Sequence, residues 1–545
     1  MPPRRYAGPC AIRAATCCTC VPAPRPCTPI STCRQLTRRT VVTTRPPLVR
    51  EAAEEGAARH ADALRLLVGE RHVLVGPDLP GRYTQDLWGS DRVGVAGVVV
   101  RPGTAEEVAM VLRYCHAHGQ PVVVQGGMTG LVSGGVPGAG EVVLSTERLT
   151  ELGAVDPVAG TVTAGAGVTL ADLQQHAAPH GLTVPIDLAS KDSATIGGCV
   201  ATNAGGVNVV GYGMTRRHVR SLQVVLADGT LLDLSTDLVK DNAGYDLKQL
   251  FIGSEGTLGV VTAATLALHP APQGRTGAFC AVADVDGALK VLGTLRERMP
   301  GSLTSFEVIW ADAYAVLEGT GVRLPLPQGH PLYILAECET SRPDDADVFV
   351  ACLEELSDTL ADTAVATSPA DLKAFWRARE RIPGEVLRMQ PLFGFDVSVP
   401  AGSLAASLEE MRAELRRQWP GVRLLVFGHL GDDNVHIAVA TGEKTRERKT
   451  DVEHIVYRTV SSCGGSISAE HGVGFEKREY LGYTRSAGEI ELMRTLKTAL
   501  DPGGILGRGR VLPWTADGDD GTGGTGLTGG NGGNNGGSGN GGAAR

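Results

Sequence analysis

The stretch QGGMTGLVSGG, residues 125–135, follows directly on the apolar run PVVV at residues 121–124, and its reading decides the fold. Five glycines and two hydroxyl residues stand where the chain leaves a buried strand and must turn. Backbone N–H groups in such a loop can converge on phosphate oxygens, because glycine accepts left-handed dihedrals and lets the backbone come close. One glycine-rich turn is commonplace and carries little weight. A second stretch, SATIGGCVATNAGG at residues 193–206, again combines hydroxyls, paired glycines and an asparagine, Asn203. Neither matches the dinucleotide fingerprint GxGxxG or the P-loop. Counted from Gly165, the sixth position is Leu170, so a nicotinamide-type Rossmann site is not supported. Two phosphate-lining loops without that signature indicate a different dinucleotide fold.

Outward from the first loop, VAGVVVRP (residues 95–102) predicts a strand, AEEVAMVLRYCHAHG (105–119) an amphipathic helix that stops at Gly119, and PVVVQGG the next strand. EVVLSTERL, GTVTAGAG, VRSLQVVLADGTLLDL and GTLGVVTAATLAL add β-type segments as far as His269. The break HPAPQGR (269–275) marks a domain boundary. Beyond it the texture becomes a strand–helix alternation of α/β type: AFCAVADV, residues 287–299, PLYILAECET, residues 343–360.

The 545 residues suffice for two or three domains with their own cores. A formal charge of −9, with 51 Lys and Arg mostly interspersed among 60 acids, offers no basic field to a nucleic acid. No apolar run reaches the roughly 18 residues of a membrane span, so the expected location is cytoplasmic, with membrane contact at most peripheral. Residues 1–50 hold nine Arg, no acid and six of the twelve Cys (Cys10 to Cys33), without helical or strand periodicity, and no fixed structure is expected there. The natural start is expected downstream, near Val49, with spurious translation before it; N-terminal sequencing of the native protein checks this. The six later cysteines stand singly in apolar context and read as reduced packing residues. Residues 514–545, chiefly Gly, Asn, Asp and Thr, read as a flexible tail that cannot bury enough apolar area to offset chain entropy.

A lone histidine is by default a surface or packing residue. FGHLGDDNVHIAV (427–439), however, sets His429 and His436 seven residues apart around Gly431, Asp432, Asp433 and Asn434, a turn-forming cluster. An odd offset places two residues on opposite faces of one straight strand, so a turn is needed for the imidazoles to converge. Thirty-four residues after His436, GGSISAEHGVGFEKREYL supplies Glu470 and His471 side by side between glycines. Two histidines and a carboxylate with open positions suit a catalytic divalent ion, and several ions fit that donor set.

Taken in order, RPGTAEEVAMVL, VVVQGGMTGLVSGG, DLASKDSATIGGCVATNAGG, VRSLQVVLADGT and DNAGYDLKQLFIGSEGTLGVVT closely resemble the FAD domain of the vanillyl-alcohol oxidase type of flavoprotein. Within it the chain is most similar, over about residues 80 to 512, to the FAD-linked D-2-hydroxy-acid dehydrogenases, which include D-2-hydroxyglutarate, D-lactate and glycolate enzymes. The resemblance implies an α+β fold: a helical lead-in at 51–91, a PCMH-type FAD-binding domain at 92–271, and an FAD-linked oxidase C-terminal (cap) domain at 272–513, with a C-terminal segment returning near LKTALDPGGIL. It implies that Gly126, Gly127, Met128, Thr129, Gly130 and Ser133 hold the FAD pyrophosphate, with Gln125 also among the cofactor-binding residues. Pro185, Asp187, Ser193, Gly197, Gly198, Asn203 and Val260 would line the rest of the cofactor, with Asn434 at the flavin edge. Met128 stands where Asn or Gly is usual, which costs little if the contacts are backbone N–H groups. No histidine lies in the loop, so FAD is expected to be held non-covalently.

The same resemblance implies His429, His436 and Glu470 as ligands of a divalent metal, zinc first, and His471 as the catalytic base. Arg379, in ARERIPGEV, would grip the substrate carboxylate at two points, as guanidinium geometry favours; by spacing alone it is one of three alternating arginines, with Arg377 and Arg381, on a solvated helix. The implied reaction takes the 2-hydroxyl proton onto an imidazole and passes the C2 hydride to flavin N5, giving the 2-oxo acid. Hydroxyglutarate-type enzymes carry Thr, Lys and Asn where this chain has Pro383, Gly394 and Ala438. A distal carboxylate would lack its cation, and burying an unpaired charge is costly. A D-lactate-like or glycolate-like acid is therefore expected before D-2-hydroxyglutarate, with a quinone, an electron-transfer flavoprotein or a cytochrome as acceptor. The alternatives are a non-redox flavoenzyme of the ether-lipid synthase type, a metal-dependent hydrolase, and a non-catalytic subunit of a glycolate-oxidase-like complex.

Overall fold

Valine runs build the first sheet: Val73–Val75 (β1), Val98–Val100 (β2), Val122–Gln125 (β3) and Val142–Ser145 (β4), in the order β1-β2-β4-β3. Strands β2 and β3 both run parallel to β4, and β1 is antiparallel to β2. Burial on both faces explains why β2, β3 and β4 read as continuous apolar runs. The expected helix is Ala105–Ala117, started by Thr104, whose hydroxyl accepts from the Glu107 N–H at 3.2 Å, and Val108, Val111, Leu112 and Cys115 enter the core from it. The computed structural model describes residues 59–76, 79–86, 94–234 and 238–514. The expectations for residues 1–50 and for the tail beyond Trp514 lie outside them.

The chain continues through Thr161–Gly165 (β5), Leu182–Thr183 (β6), Val219–Val225 (β7), Leu231–Asp233 (β8), Val260–Ala267 (β9) and His269–Pro270 (β10). Strands β5, β9, β7 and β8 form an antiparallel sheet in that order, and β10 pairs with β6. The composition break at 269–275 is where the chain passes to a third sheet. Its strands are Gly274–Val282 (β11), Leu303–Trp310 (β12), Leu332–Thr340 (β13), Leu360–Val365 (β14), Phe393–Ser398 (β15), Arg423–His429 (β16) and Asn434–Ala440 (β17), ordered β14-β11-β13-β12-β16-β17-β15. Every neighbouring pair is antiparallel, so the second domain is not the α/β unit that the alternation suggested. Strand β12, absent from the sequence reading, turns the alternation into a strand–helix–strand–strand–helix–strand order, which returns each strand antiparallel to its neighbour.

The period of two sorts this sheet into two faces. Ala278, Ile334, Phe306, Val426, Ile437 and Phe395 belong to the large core against the helices Val285–Arg298, Asp345–Glu355, Leu404–Gln418 and Arg446–Ser462. The opposite face is apolar at one end, where Phe279, Tyr333, Leu425, Phe427 and Ala438 pack against the helix Pro369–Arg388, and ionisable at the other. The C-terminal segment does not end in the cap. After the helix Ala487–Leu500, Ile505 and Leu506 enter the core of the first domain, and Val122 donates to Ile505 O at 2.8 Å and accepts from Gly507 N at 2.9 Å.

Cys115, Cys199, Cys280, Cys338 and Cys352 are buried, Cys463 is half-buried, and all six are free. Burial pushes the thiols of Cys115, Cys199, Cys280 and Cys338 up to about 12, as for inert packing residues. Among the described residues no helix is long and apolar enough to cross a membrane.

Candidate active site

The two glycine stretches meet. A Cβ on Gly127 would stand 1.8 Å from the Ser193 carbonyl oxygen, and one on Gly126 2.4 Å from the Thr195 hydroxyl, so only glycine lets the segments approach this closely. Gly197 is closed off by Ala166 at 2.6 Å, while a Cβ on Gly130 would meet no heavy atom within 4 Å. Gln125 closes the base of the loop, its Nε2 donating to Tyr83 O at 2.9 Å and Gly135 O at 2.8 Å. Two backbones pressed together with an open side at Gly130 form a cradle that fits a pyrophosphate.

Other residues of the expected cofactor site are placed as follows. Met128, Ser133 and Asn203 have φ of 55°, 58° and 50°. A side chain in the left-handed region loses about 1 kcal/mol or more relative to glycine, so Met128 stands in backbone that glycine would occupy with less strain. Ser133 donates from its backbone to Asp86 at 3.0 Å and from its hydroxyl to Glu476 at 3.0 Å. Asn203 ends the helix Ile196–Thr202 and accepts from Arg216 N at 2.9 Å. Thr129 and Gly198 are half-buried, and Pro185 O accepts from Asn208 Nδ2 at 3.0 Å. Asp187 pairs with Lys191 at 3.0 Å and lines a cleft of about 570 Å³ with Asn208, Arg275, Glu337 and Trp376. Val260 is wholly buried in the apolar core, so only its backbone is left to line a cofactor.

A row of charged groups crosses the ionisable end of the seven-stranded sheet. His429 ends β16, residues 430–432 turn, Asp433 takes a left-handed φ of 65°, and β17 opens at Asn434. The hairpin register sets His436 opposite Phe427 and His429 opposite Asn434, so the odd offset is absorbed and both imidazoles share a face, with Nε2 to Nε2 3.3 Å. Glu470 Oε1 lies 3.9 Å from the Nε2 of each of His429, His436 and His471. Behind His429, the wholly buried Glu307 of β12 lies 2.5 Å from its Nδ1 and accepts from Arg379 Nε at 2.7 Å. Arg379 is 6% exposed and its guanidinium lies over the Phe427 ring at 5.1 Å, whereas Arg377 and Arg381 are exposed. Residues two positions apart on a helix point about 200° from one another, which separates Arg379 from its neighbours in the series.

Asp396, on β15 opposite His436, plays the matching part on the other side. One of its oxygens accepts from the backbone N–H groups of Ala469, Glu470 and His471 at 3.0–3.1 Å; the other lies 3.6 Å from His436 Nδ1 and has no hydrogen-bond partner. The Lys477 ammonium, buried 3.9 Å from Asp396, donates to three oxygens around it. Against burial, His471, Lys477 and His436 hold the Asp396 carboxyl well below the usual carboxylate range. Burial likewise opposes the charge on His429, yet Glu307 and Glu470 outweigh it and raise the imidazole to about 9. The Asp432 carboxyl is pushed up to about 7, by burial first, with Glu307 and Glu470 adding to it against His429.

These groups fit a divalent ion. Carboxylates behind Nδ1 of His429 and His436 favour the tautomer whose Nε2 lone pairs face each other and Glu470. The separations of 3.3 and 3.9 Å bracket the spacing of roughly 3.4 Å between tetrahedral ligands bound at about 2.1 Å. Asp396, His436, Glu470 and His471 also present ligand atoms within 4.8 Å of one another. Glu307, Asp396 and Glu337 were not foreseen from sequence. Glu307 and Asp396 are each a single acid in an otherwise apolar strand, in SFEVIW and FGFDVSV, while Glu337 shares ILAECET with Glu339; an acid inside an apolar run was the available signal.

Residues 96–235 match the family described as "FAD binding domain", and residues 271–511 match "FAD linked oxidases, C-terminal domain". The chain is 39% identical over 425 residues to D-2-hydroxyglutarate dehydrogenase, mitochondrial, of Bos taurus, covering 77% of each chain. It is 36% identical over 458 residues to D-2-hydroxyglutarate dehydrogenase of Stutzerimonas stutzeri (strain A1501), covering 83% of this chain and 98% of that one. Among solved structures, p-cresol methylhydroxylase with substrate bound superposes with a TM-score of 0.67 at 17% identity, over 86% of this chain and 98% of that one, a likeness of fold.

Proposed function

This chain belongs to the FAD-linked oxidase family and is an FAD-dependent oxidoreductase acting on the CH–OH group of a D-2-hydroxy acid, and from that premise we propose that its substrate is short or uncharged at the far end, D-lactate-like or glycolate-like, and is oxidised beside a divalent ion. We assign His429, His436 and Glu470 as the ion's ligands, zinc being the first candidate. The observation that carries this reading is the convergence of three imidazole Nε2 atoms on one Glu470 oxygen, with Arg379 tied through Glu307 to the same cluster. When bound, FAD supplies a hydride acceptor and the divalent ion supplies Lewis acidity that eases loss of the hydroxyl proton.

The chain's own residues do the rest. Arg379, held flat by Glu307 and Phe427, offers its remaining N–H groups to the carboxylate at C1. His471 accepts the 2-hydroxyl proton at an imidazole nitrogen. Ala438 faces Gly394 across β15 and β17 and packs with Ile382 and Phe427, so this wall favours a methyl or hydrogen over a second carboxylate. The electron acceptor is proposed only by class, as a quinone, an electron-transfer flavoprotein or a cytochrome.

The test is anaerobic bleaching of the purified flavoprotein with D- and L-2-hydroxy acids of increasing length, with and without chelator. The expected result is bleaching by short D-acids, lost on chelation. Unimpaired bleaching after complete removal of metal would overturn the metal assignment, and efficient turnover of D-2-hydroxyglutarate would overturn the substrate assignment. A His471→Ala variant that reduces its flavin at the wild-type rate would remove His471 as the base.

A further inference from the structure

The loop that carries Glu470 and His471 lies in no helix or strand; what holds it are two carboxylates from different domains. Asp396, from the cap sheet, takes the N–H groups of residues 469 to 471. Glu255, from the FAD-binding domain, takes the next two available: its Oε1 accepts from Val473 N at 2.7 Å and its Oε2 from Gly474 N at 2.8 Å. Gly472 lies against the same carboxylate, since a Cβ there would be 2.8 Å from Glu255 Oε1.

The backbone of Glu255 is unusual for what it carries. In the run Gly253, Ser254, Glu255, Gly256, three residues have left-handed φ, of 82°, 53° and 72°, and the one that is not glycine is the glutamate. Glycine or asparagine would occupy that conformation with less strain, and strain retained at one position points to a side chain that is needed there. Glu255 is also tied to both glycine stretches. Its N–H donates to Ala201 O at 2.8 Å in the second, and a Cβ on Gly134 of the first would stand 3.6 Å from its Oε2. Phe475, just beyond the loop, donates to Val132 O of the first stretch at 3.0 Å.

We propose that Glu255 is a positioning residue that fixes the Glu470–His471 loop from the flavin side, so that the metal ligand and the base take their places only against a formed FAD-binding domain. Glu255 touches neither reacting atoms nor the ion; it acts through the peptide units of Val473 and Gly474. Glutamine at this position keeps the volume but offers one carbonyl oxygen and turns an amide N–H₂ toward the second peptide N–H, so the loop loses one anchor and gains a clash of donors.

The catalytic part of the test rests on the function proposed above, and a second part does not. In flavin-saturated Glu255→Gln, FAD affinity is expected within about twofold of wild type, metal affinity about tenfold weaker, and the rate of flavin reduction at saturating metal also reduced about tenfold, with Glu255→Asp recovering part of each. Metal affinity and reduction rate both within twofold of wild type in Glu255→Gln would overturn the proposal. Independently, hydrogen exchange on the wild-type holoprotein is expected to keep the Val473 and Gly474 amides protected when a chelator strips the metal. Their exposure on chelation would show that the ion, and not Glu255, orders the loop, and this arm stands even if the variant fails to fold. A wild-type enzyme insensitive to chelator but with both amides protected would sink the metal reading and leave the role of Glu255 intact.

Discussion

Glu307→Gln isolates the group that joins Arg379, proposed to hold the substrate carboxylate, to His429, proposed as a metal ligand. Glu307 has no exposed surface, and each of its oxygens serves one partner, Arg379 Nε at 2.7 Å and His429 Nδ1 at 2.5 Å. Against burial, His429 and Arg379 bring its carboxyl down to about 2, so glutamine deletes a charge at every working pH. The substituted side chain has one acceptor for two donors. A hydrogen bond to a charged group contributes about 1.5–3 kcal/mol, and a buried cation stripped of its partner costs about 3–5 kcal/mol. The substrate carboxylate returns a counter-charge to Arg379, so part of that cost disappears on binding. A net loss of about 2–4 kcal/mol of transition-state stabilisation corresponds to a fall of roughly thirty- to a thousandfold in kcat/KM. The fall is expected in kcat, with KM unchanged or lower, because a guanidinium freed of Glu307 finds its counter-charge in the substrate. Metal affinity is expected to fall about ten- to a hundredfold, since the carboxylate no longer fixes the His429 tautomer. Stopped-flow flavin reduction and competition against a chromogenic chelator measure the two effects. A folded, flavin-loaded variant within threefold of wild type in both would refute the coupling of Arg379 and His429 through Glu307.

Three further outcomes follow from the geometry. Gly127→Ala, which sets a Cβ 1.8 Å from Ser193 O, is expected to lower the melting temperature of the flavin-free protein and to shed FAD on gel filtration; Gly130→Ala, with open space around it, should weaken FAD binding while leaving the flavin-free melting temperature unchanged, and equal effects on that temperature would contradict the cradle. Gly394→Lys combined with Ala438→Asn is expected to raise kcat/KM for D-2-hydroxyglutarate relative to D-lactate by about tenfold, as steady-state assays of both acids will show, because the pair restores donors at facing positions of β15 and β17. His429 in the metal-free protein has its pKa raised from 6.5 to about 9, so its proton, and the stability its pairing with Glu307 and Glu470 contributes, is fully present below pH 6.5 and is lost as pH rises through 9. An entering ion must displace that proton, so metal affinity should rise about tenfold per pH unit toward 9 and then level off; a flat profile in chelator competition would show that His429 is not a ligand.

The parts legible in the sequence were those whose physics is local. A strand followed by glycines at residues 126, 127 and 130 announces a close backbone approach, and the Asp–Asp–Asn turn between His429 and His436 announces a hairpin. Strand direction is not local. The second domain alternates strands and helices in sequence, and only the insertion of β12, whose apolar stretch is broken by Glu307, converts that alternation into an antiparallel sheet. The same acid that obscured the strand is the one behind His429, and Asp396 in β15 behaves alike. A buried carboxylate in a strand reveals its partners only once the register is known, because those partners come from β16, from the helix Pro369–Arg388 and from the loop at residues 469–471. Arg379 shows the complementary case: three alternating arginines read as one solvated face, and helical geometry turns the middle one inward.

Charge supplies the last step toward the substrate. Glu255, Glu307, Asp396 and Glu470 surround the site, facing the buried side chains of Arg379 and Lys477. Burial first, with Glu307 and Glu470 adding to it against His429, raises the Asp432 carboxyl to about 7. A divalent ion held there would offset this negative charge, and a monoanionic hydroxy acid could then pair its carboxylate with Arg379. A dianion would bring a second negative charge to the wall formed by Ala438, Ile382 and Phe427, where among these side chains none can pair with it. The electrostatics of the cluster and the apolar wall therefore support the same substrate class independently, and a dianionic acid that matched D-lactate in kcat/KM would have to find a cation outside this wall.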